Sequence, residues 1–170
     1  MENVLGLIKL RIKRGTNLKA CDTRSSDPYV FVTMAEQELK TGVVKDNCNP
    51  EWNEELTLYV KDVNNPIHLT VSDKDTFTVD DKMGDAEIDL KPYLRCVKME
   101  LNDLPEGHVV KIVYPDRTNC LAEESSCMWK NGKVVQEMSL RLRNAKSGEI
   151  IVEIEWVSVP NSKGLSEVDF

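Results

Sequence analysis

The sequence predicts an all-β fold, an antiparallel β-sandwich, and two observations carry that prediction. Short segments in which apolar and polar residues alternate recur along the 170 residues, as in the run Ile8–Lys13. A period of two is typical of a strand with one buried face. No long segment of helical period separates these strands, which favours an antiparallel sandwich over an α/β fold.

Turn residues bound each predicted strand, and the first strand ends at the turn Gly15–Asn17. The strand-like segments that follow are Tyr29–Val32, Gly42–Lys45, Leu56–Val60, Ile67–Val71 and Val152–Trp156. One segment, Pro92–Met99, carries apolar residues near helical spacing and has Asp89 upstream as a cap. The sequence therefore predicts one short helix there.

The stretch 101–137 breaks this rhythm and is interpreted as an insertion of mixed α/β character. Turn signals surround Val109–Val113 and the polar piece Ala122–Trp129, which predicts a strand, a short helix and a hairpin turn at Asn131-Gly132. A chain of this length is short for two hydrophobic cores, so a single domain over 1–160 is expected. The polar tail 161–170 is expected to fray.

Charge and cysteine usage limit the class of partner. The net charge of -7 argues against nucleic acid, which is bound through clustered Lys and Arg. Five cysteines at irregular spacing, with no signal-peptide layout at the start, favour reduced thiols and the cytosol. No apolar run approaches the roughly 20 residues that span a bilayer, so any membrane contact is expected to be peripheral.

Carboxylates gather in two loops that follow predicted strands. The first loop contains Asp22 and Asp27, and the second contains Asp73, Asp75 and Asp81. If the sandwich brings both loops to one end, these carboxylates repel one another unless a cation neutralises them. Calcium suits such a cluster because it accepts six to eight oxygen ligands in flexible geometry. The sequence thus predicts a Ca²⁺ site.

Metals and motifs of a different kind fit the aspartates less well. Zinc is disfavoured because neither His68 nor His108 lies near them in the sequence, whereas magnesium stays open. An EF-hand fails, since the fifth, sixth and twelfth positions counted from Asp73 are not Asp or Asn, Gly and Glu. Taken singly, each aspartate could be an ordinary turn residue.

At these residues the sequence resembles the C2 domain family. The first loop ends in the motif Ser26–Tyr29, the later loop has the form Asp73-x-Asp75, and Asn49–Glu54 matches the turn Asn-Pro-x-Trp-Asn-Glu. The resemblance implies an eight-stranded antiparallel sandwich, of type II topology, that binds Ca²⁺. The implied ligands are the carboxylates of Asp22, Asp27, Asp73, Asp75 and Asp81 and the backbone carbonyls of Cys21 and Lys74.

The same resemblance implies contacts with an anionic phospholipid membrane surface. Phe31 stands where some members have a lysine for lipid headgroups, which leaves Lys40 and Lys45 as the candidates. Phe77 and Val79 are the candidates for insertion into the bilayer. Two bound calcium ions would add four positive charges, each contributing about 1 kcal/mol near an anionic leaflet. The resulting change in affinity is on the order of a thousandfold.

More narrowly, the chain is similar to the plant C2-domain abscisic-acid-related proteins, including its insertion from Tyr114 to Lys133. That similarity implies a cytoplasmic protein, with the nucleus as a second location, that docks peripherally on the plasma membrane when calcium rises. It implies recruitment of abscisic acid receptors of the PYR/PYL type. It also implies stimulation of an Obg-like GTPase/ATPase, which is an accessory role and not catalysis.

Two rival functions start from the same acidic residues. A divalent-metal transferase using Asp73 and Asp75 is disfavoured, because the sequence has no glycine-rich phosphate loop and no nucleophile with an evident base. A calcium-independent protein-interaction scaffold with no membrane role stays open. Thermal melting with and without calcium separates that scaffold from a calcium-binding module, since a ligand of the native state raises stability.

Overall fold

The structure, a computed structural model, describes residues 3–18, 26–75 and 77–170. These residues form ten strands and one helix. In chain order they are β1 (Gly6–Thr16), β2 (Pro28–Met34), β3 (Gln37–Lys40), β4 (Glu51–Val60), β5 (Ile67–Asp73), β6 (Asp81–Ile88), α1 (Lys91–Lys98), β7 (Val109–Val113), β8 (Ser125–Lys130), β9 (Lys133–Arg141) and β10 (Glu149–Val157).

The strands form two antiparallel sheets, which confirms the predicted all-β sandwich. The larger sheet has the order β4-β1-β10-β9-β8-β7, and the smaller has the order β3-β2-β5-β6. Alternate residues of each central strand are buried between the sheets, as with Ile8, Leu10 and Ile12 of β1 against Val30 and Val32 of β2. Burial of one face of every central strand supplies the main driving force for this architecture.

The segment predicted to be an insertion extends the larger sheet. It contributes β7, β8 and the first part of β9 at one side, so the described residues form ten strands and not the eight expected. The hairpin at Asn131-Gly132 is confirmed: both residues have positive φ, +52° and +81°, and Lys130 pairs with Lys133. The short helix expected within this segment is wrong, because Ser125–Lys130 is a strand whose alternate side chains, including Cys127, are buried.

Two other local predictions are resolved by the structure. The helix predicted at Pro92–Met99 is confirmed as α1. Its N-cap is Leu90 and not the expected Asp89, although Asp89 Oδ1 accepts a hydrogen bond from Lys91 N at 3.0 Å. The strand predicted at Gly42–Lys45 is wrong, since the strand of that region is β3. In that segment Gly42 N donates to the carboxylate of Glu54 at 2.7 Å and Val44 N donates to Pro28 O at 3.1 Å, and these separate bonds do not form the continuous ladder of a strand.

The C-terminal segment does not fray as expected. Leu165 is buried, and Lys163 N donates to Val4 O at 3.4 Å. Lys98 donates to the carbonyl of Val168, and the Phe170 ring lies near Lys98, with 5.4 Å from its Nζ to the ring centre. The polar composition of the tail gives no indication of these few contacts, which anchor it to the rest of the domain.

The oxidation state of the cysteines differs from the expected reduced thiols at Cys48. Cys96, Cys120 and Cys127 are free and buried, as reduced thiols in a core would be. Cys48 is disulfide-bonded, so the expectation that all the thiols are reduced is wrong there. Within the described ranges no helix is long and apolar enough to cross a membrane.

Tyr93 joins the helix to the larger sheet. Its ring is fully buried, and its hydroxyl donates to Val134 O at 2.6 Å and accepts from Trp156 N at 2.7 Å. Burial raises the pKa of this hydroxyl, so it stays protonated and keeps both bonds. One side chain thereby satisfies a backbone acceptor and a backbone donor on two neighbouring elements.

We expect Tyr93→Phe to lower the free energy of unfolding by about 2 kcal/mol, because it leaves both backbone groups buried without a partner. Urea denaturation monitored by tryptophan fluorescence measures this change. Tyr59→Phe is the control, since Tyr59 makes an exposed hydrogen bond to Glu36, and its urea midpoint should not move. Equal midpoints for all three proteins would contradict the role assigned to Tyr93.

Candidate calcium and membrane site

Three of the predicted aspartates lie at neighbouring strand ends of the smaller sheet. Asp27 immediately precedes β2, Asp73 ends β5, and Asp81 begins β6. The register pairs Pro28 with Asp73 and Asp73 with Asp81. Adjacent strands lie about 4.8 Å apart, so the pairing alone brings these three residues to one end of the sandwich.

Direct hydrogen bonds join the two acidic loops. Asp27 N donates to Asp73 Oδ1 at 2.8 Å, and Lys74 N donates to Asp27 O at 3.0 Å. Asp46 N, from the loop between β3 and β4, donates to Asp27 Oδ1 at 3.0 Å. The second carboxylate oxygens of Asp27 and Asp73 accept no hydrogen bond from any described residue. Two anionic oxygens are thereby left available where the loops meet.

Asp75 and Asp80 form the next layer of the site. Asp80 Oδ1 accepts from Asp75 N at 2.9 Å, and Asp80 Oδ2 accepts from Tyr29 Oη at 2.6 Å. The donor from Asp75, helped by the Tyr29 hydroxyl, lowers the pKa of Asp80. The same bond to the anionic Asp80 raises the pKa of Tyr29. Sequence reasoning missed Asp80, although its position beside Asp81 was a visible signal.

The loop after Asp75 presents apolar side chains to solvent. Phe77 is 93 % exposed and Val79 is 88 % exposed. Phe77 N donates to Asp75 Oδ1 at 3.1 Å, which links this tip directly to an acidic side chain of the site. Large apolar side chains exposed to this degree beside a charged cluster are suited to contact with an apolar phase.

The two candidate lysines occupy different places. Lys45 is exposed and adjoins Asp46, so it lies beside the acidic end. Lys40 is exposed at the end of β3, where it pairs with Phe31 on the smaller sheet. Lys74 lies within the site, with 3.8 Å between its Nζ and Asp80 Oδ2.

Gly84, three residues after Asp81 on β6, allows a close contact between two parts of the chain. Its φ is +148°, and a Cβ at this residue would lie 2.9 Å from Ala145 Cβ and 3.0 Å from Leu142 Cβ. Asp85 and Arg143 exchange backbone hydrogen bonds of 3.1 and 2.7 Å directly beside it. The glycine allows the loop between β9 and β10 to pack closely against β6, the strand that begins at Asp81.

Part of the predicted ligand set falls outside the residues that the structure describes. Asp22 and the backbone of Cys21 lie in 19–25, which is one of the gaps between the described ranges. Among the residues that are described, no group of three or more acidic, histidine or cysteine side chains lies close enough to hold a metal. The oxygens of Asp27 and Asp73 nevertheless fit the oxygen-only ligand chemistry of Ca²⁺.

Comparison with known proteins assigns the fold and the relatives. The family model described as "C2 domain" matches residues 6–107. Protein C2-DOMAIN ABA-RELATED 5 of Arabidopsis thaliana is 55 % identical over 165 residues, which cover 97 % of this chain and 82 % of that protein. GTPase activating protein 1 of Oryza sativa subsp. japonica is 51 % identical over 163 residues, covering 96 % of this chain and 98 % of the relative.

Solved structures support the same fold at lower identity. The first C2 domain of plant Extended Synaptotagmin 1 superposes with a TM-score of 0.62 at 21 % identity, covering 92 % of this chain and 97 % of that one. The calcium-bound pair of C2 domains from Extended-Synaptotagmin 2 superposes with a TM-score of 0.61 at 19 % identity, covering 91 % of this chain and 46 % of the other.

Proposed function

This chain belongs to the C2 domain family, and we propose on that basis that it is a calcium-dependent phospholipid-binding module. The observation that carries the proposal is the contact between the two acidic loops, in which Asp27 N donates to Asp73 Oδ1 at 2.8 Å. That bond holds the two acidic loops together, and carboxylates gathered on loops held together repel one another unless a cation is shared between them. The available oxygens of Asp27 and Asp73 support Ca²⁺ as that cation.

Each part of the site has a separate task in this proposal. Asp27 and Asp73, with Asp22, Asp75 and Asp81, offer carboxylate ligands, and the carbonyls of Cys21 and Lys74 complete the set. Bound calcium supplies positive charge and open coordination positions for lipid phosphate oxygens. Phe77 and Val79 then enter the interface, where burial of Phe77 contributes about 1 to 2 kcal/mol. Lys45 and Lys40 add attraction to anionic headgroups.

We further propose that the module recruits signalling proteins to the plasma membrane from the cytoplasm, with the nucleus as a second location. The names of the Arabidopsis thaliana relatives, "C2-DOMAIN ABA-RELATED", support a role in abscisic acid signalling, and we propose abscisic acid receptors as the recruited proteins. The name of the Oryza sativa relative, "GTPase activating protein 1", supports an accessory role towards a GTPase, and we propose an Obg-like GTPase/ATPase as that enzyme. The chain itself performs no catalysis in either role.

Thermal melting and vesicle co-sedimentation test the proposal together. At free calcium about a hundredfold above its dissociation constant, we expect a gain of about 2.7 kcal/mol in unfolding free energy. For a domain of this size, the melting temperature should rise by about 5 to 10 °C. The protein should sediment with phosphatidylserine vesicles in calcium and remain in the supernatant in chelator.

The outcomes separate the proposed module from its rival. Melting that does not respond to millimolar calcium, with no sedimentation at any calcium concentration, would favour a calcium-independent scaffold. Equal sedimentation with neutral phosphatidylcholine vesicles would contradict the anionic-lipid part of the proposal. Magnesium at the same concentration is the control for simple ionic strength, since Mg²⁺ demands a tighter octahedral geometry.

A further inference from the structure

The carboxylate of Asp80 joins strand β2 to the second acidic loop. Its Oδ2 accepts from Tyr29 Oη at 2.6 Å, and its Oδ1 accepts from Asp75 N at 2.9 Å. Lys74 Nζ lies 3.8 Å from the same Oδ2. We name the Tyr29, Asp80 and Asp75 hydrogen bonds the Asp80 clip. Through this clip, Asp80, the residue before β6, is connected both with the start of β2 and with Asp75.

The side chains beyond Asp75 provide little packing of their own. Residues 77–79 are all exposed, and Phe77 and Val79 are almost fully so. Without buried apolar contacts, the conformation of this tip depends on its polar links. Those links include the Asp80 clip and the bond from Phe77 N to Asp75 Oδ1 at 3.1 Å.

Asp80 differs from the aspartates assigned as ligands. Both of its oxygens accept a hydrogen bond from the protein, whereas Asp27 and Asp73 each retain an oxygen that accepts none from the described residues. The Tyr29 hydroxyl donates to this carboxylate, and the Tyr29 ring is half-buried on β2. Asp80 is therefore occupied in holding the loop.

We propose that Asp80 and Tyr29 are positioning residues that hold Asp75 and the Phe77–Val79 tip in the arrangement that binds calcium and meets the membrane. This inference rests on the proposed function and deepens it. Neither residue ligates the metal. They act by raising the fraction of molecules whose loop is already in the binding arrangement, and an apparent dissociation constant scales inversely with that fraction.

Tyr29→Phe removes the donor and keeps the ring. We expect the calcium concentration for half-maximal vesicle binding to rise by about three- to tenfold, because one hydrogen bond no longer restrains the loop. The plateau at saturating calcium should not change, since every proposed ligand is still present. A role in overall stability alone would not shift the midpoint while leaving the plateau intact.

Tyr59→Phe is the matched control. Tyr59 Oη donates to Glu36 Oε1 at 2.9 Å, so the substitution removes the same kind of bond. Glu36 follows the end of β2 and Tyr59 is near the end of β4, which places this bond at the other end of the sandwich from Asp73. Its calcium midpoint should equal that of the wild type.

Asp80→Asn separates positioning from ligation. Asparagine retains an oxygen for Asp75 N, and its amide group can still donate to the Tyr29 hydroxyl in place of accepting from it. A positioning role therefore predicts a midpoint shift no larger than that of Tyr29→Phe, and in the double variant no shift beyond that of Tyr29→Phe. A much larger rise in the calcium midpoint, with a lower plateau of vesicle binding and the same effect in the Tyr29→Phe background, would overturn the proposal, because it would indicate that Asp80 is a ligand.

Amide hydrogen exchange of Asp75 in chelator supplies a readout that needs no calcium. Tyr29→Phe should speed this exchange, and Tyr59→Phe should leave it unchanged. If the wild type binds vesicles with calcium while Tyr29→Phe changes neither midpoint nor exchange, the positioning role alone is overturned. If the wild type shows no calcium-dependent binding, the proposed function fails, and the positioning role fails with it whatever the exchange result.

Discussion

The double substitution Asp27→Asn with Asp73→Asn will remove the calcium-dependent part of binding to phosphatidylserine vesicles. In the wild type, four added charges at about 1 kcal/mol each give an increment on the order of a thousandfold between chelator and saturating calcium. The variant should show less than about a tenfold increment, because two ligands at the meeting point of the loops have lost their charge.

Asparagine is chosen because it preserves the local hydrogen bonds. At position 73 it still offers Oδ1 to Asp27 N, and at position 27 it still offers Oδ1 to Asp46 N. The fold at the strand ends should therefore survive, which unfolding in chelator can check. Binding in chelator should rise slightly, since two negative charges that repel an anionic surface are gone.

The control for this variant alters charge equally at the other end of the sandwich. Glu36→Gln with Asp62→Asn removes the same two negative charges from exposed residues near the ends of β2 and β4. Its calcium increment should match the wild type. A folded Asp27→Asn/Asp73→Asn protein that still sediments only in calcium would refute the shared site, whereas loss in both variants would indicate a general charge effect.

Gly6→Val should be the most destabilising single substitution proposed for this chain. A Cβ on Gly6 would lie 2.1 Å from Cζ2 of Trp156, so the indole ring must leave its place on the larger sheet. Overpacking of this severity costs about 3 kcal/mol, which corresponds to a fall of about 10 °C in melting temperature for a domain of this size. Calorimetry measures the fall, and tryptophan fluorescence reports the displaced ring.

Gly42→Val provides the matched comparison. A Cβ at Gly42 meets only the flexible carboxylate of Glu54, at 3.3 Å, so that variant should melt close to the wild type. In a Trp156→Ala background, Gly6→Val should cost much less, because the clashing ring is absent. An undiminished cost in that background would place the strain somewhere other than at Trp156.

The predicted site shows how far local sequence signals reach. Asp27, Asp73 and Asp81 were identified because they lie in two acidic loops that follow predicted strands, and strand ends can be read from the chain. The role of Asp80 could not be read, because it depends on Tyr29, which is 51 residues away in the sequence. Whether Asp80 or Asp81 serves as a ligand depends on the side chains that each contacts, and the spacing along the sequence does not reveal those contacts.

The same division applies to the insertion. The hairpin at Asn131-Gly132 was predictable because positive φ at both positions is a local property of that dipeptide. The polar piece Ala122–Trp129, which overlaps β8, lacks such a signal, and a short helix is expected from its sequence. In the folded protein it is a strand, because pairing with β7 and β9 and burial of Trp129 outweigh local preference.

Local patterns along the chain were enough to predict the all-β class, the position of most strands, the short helix and the acidic residues at the loop ends. These features follow from alternation, turn chemistry and spacing within a few residues. The order of strands, the contact between Asp27 and Asp73, the space that Gly6 leaves for Trp156 and the docking of the C-terminal segment emerge only in the folded protein. Each of those joins residues distant along the chain, and burial and hydrogen bonding select such pairs only when the whole sandwich has formed.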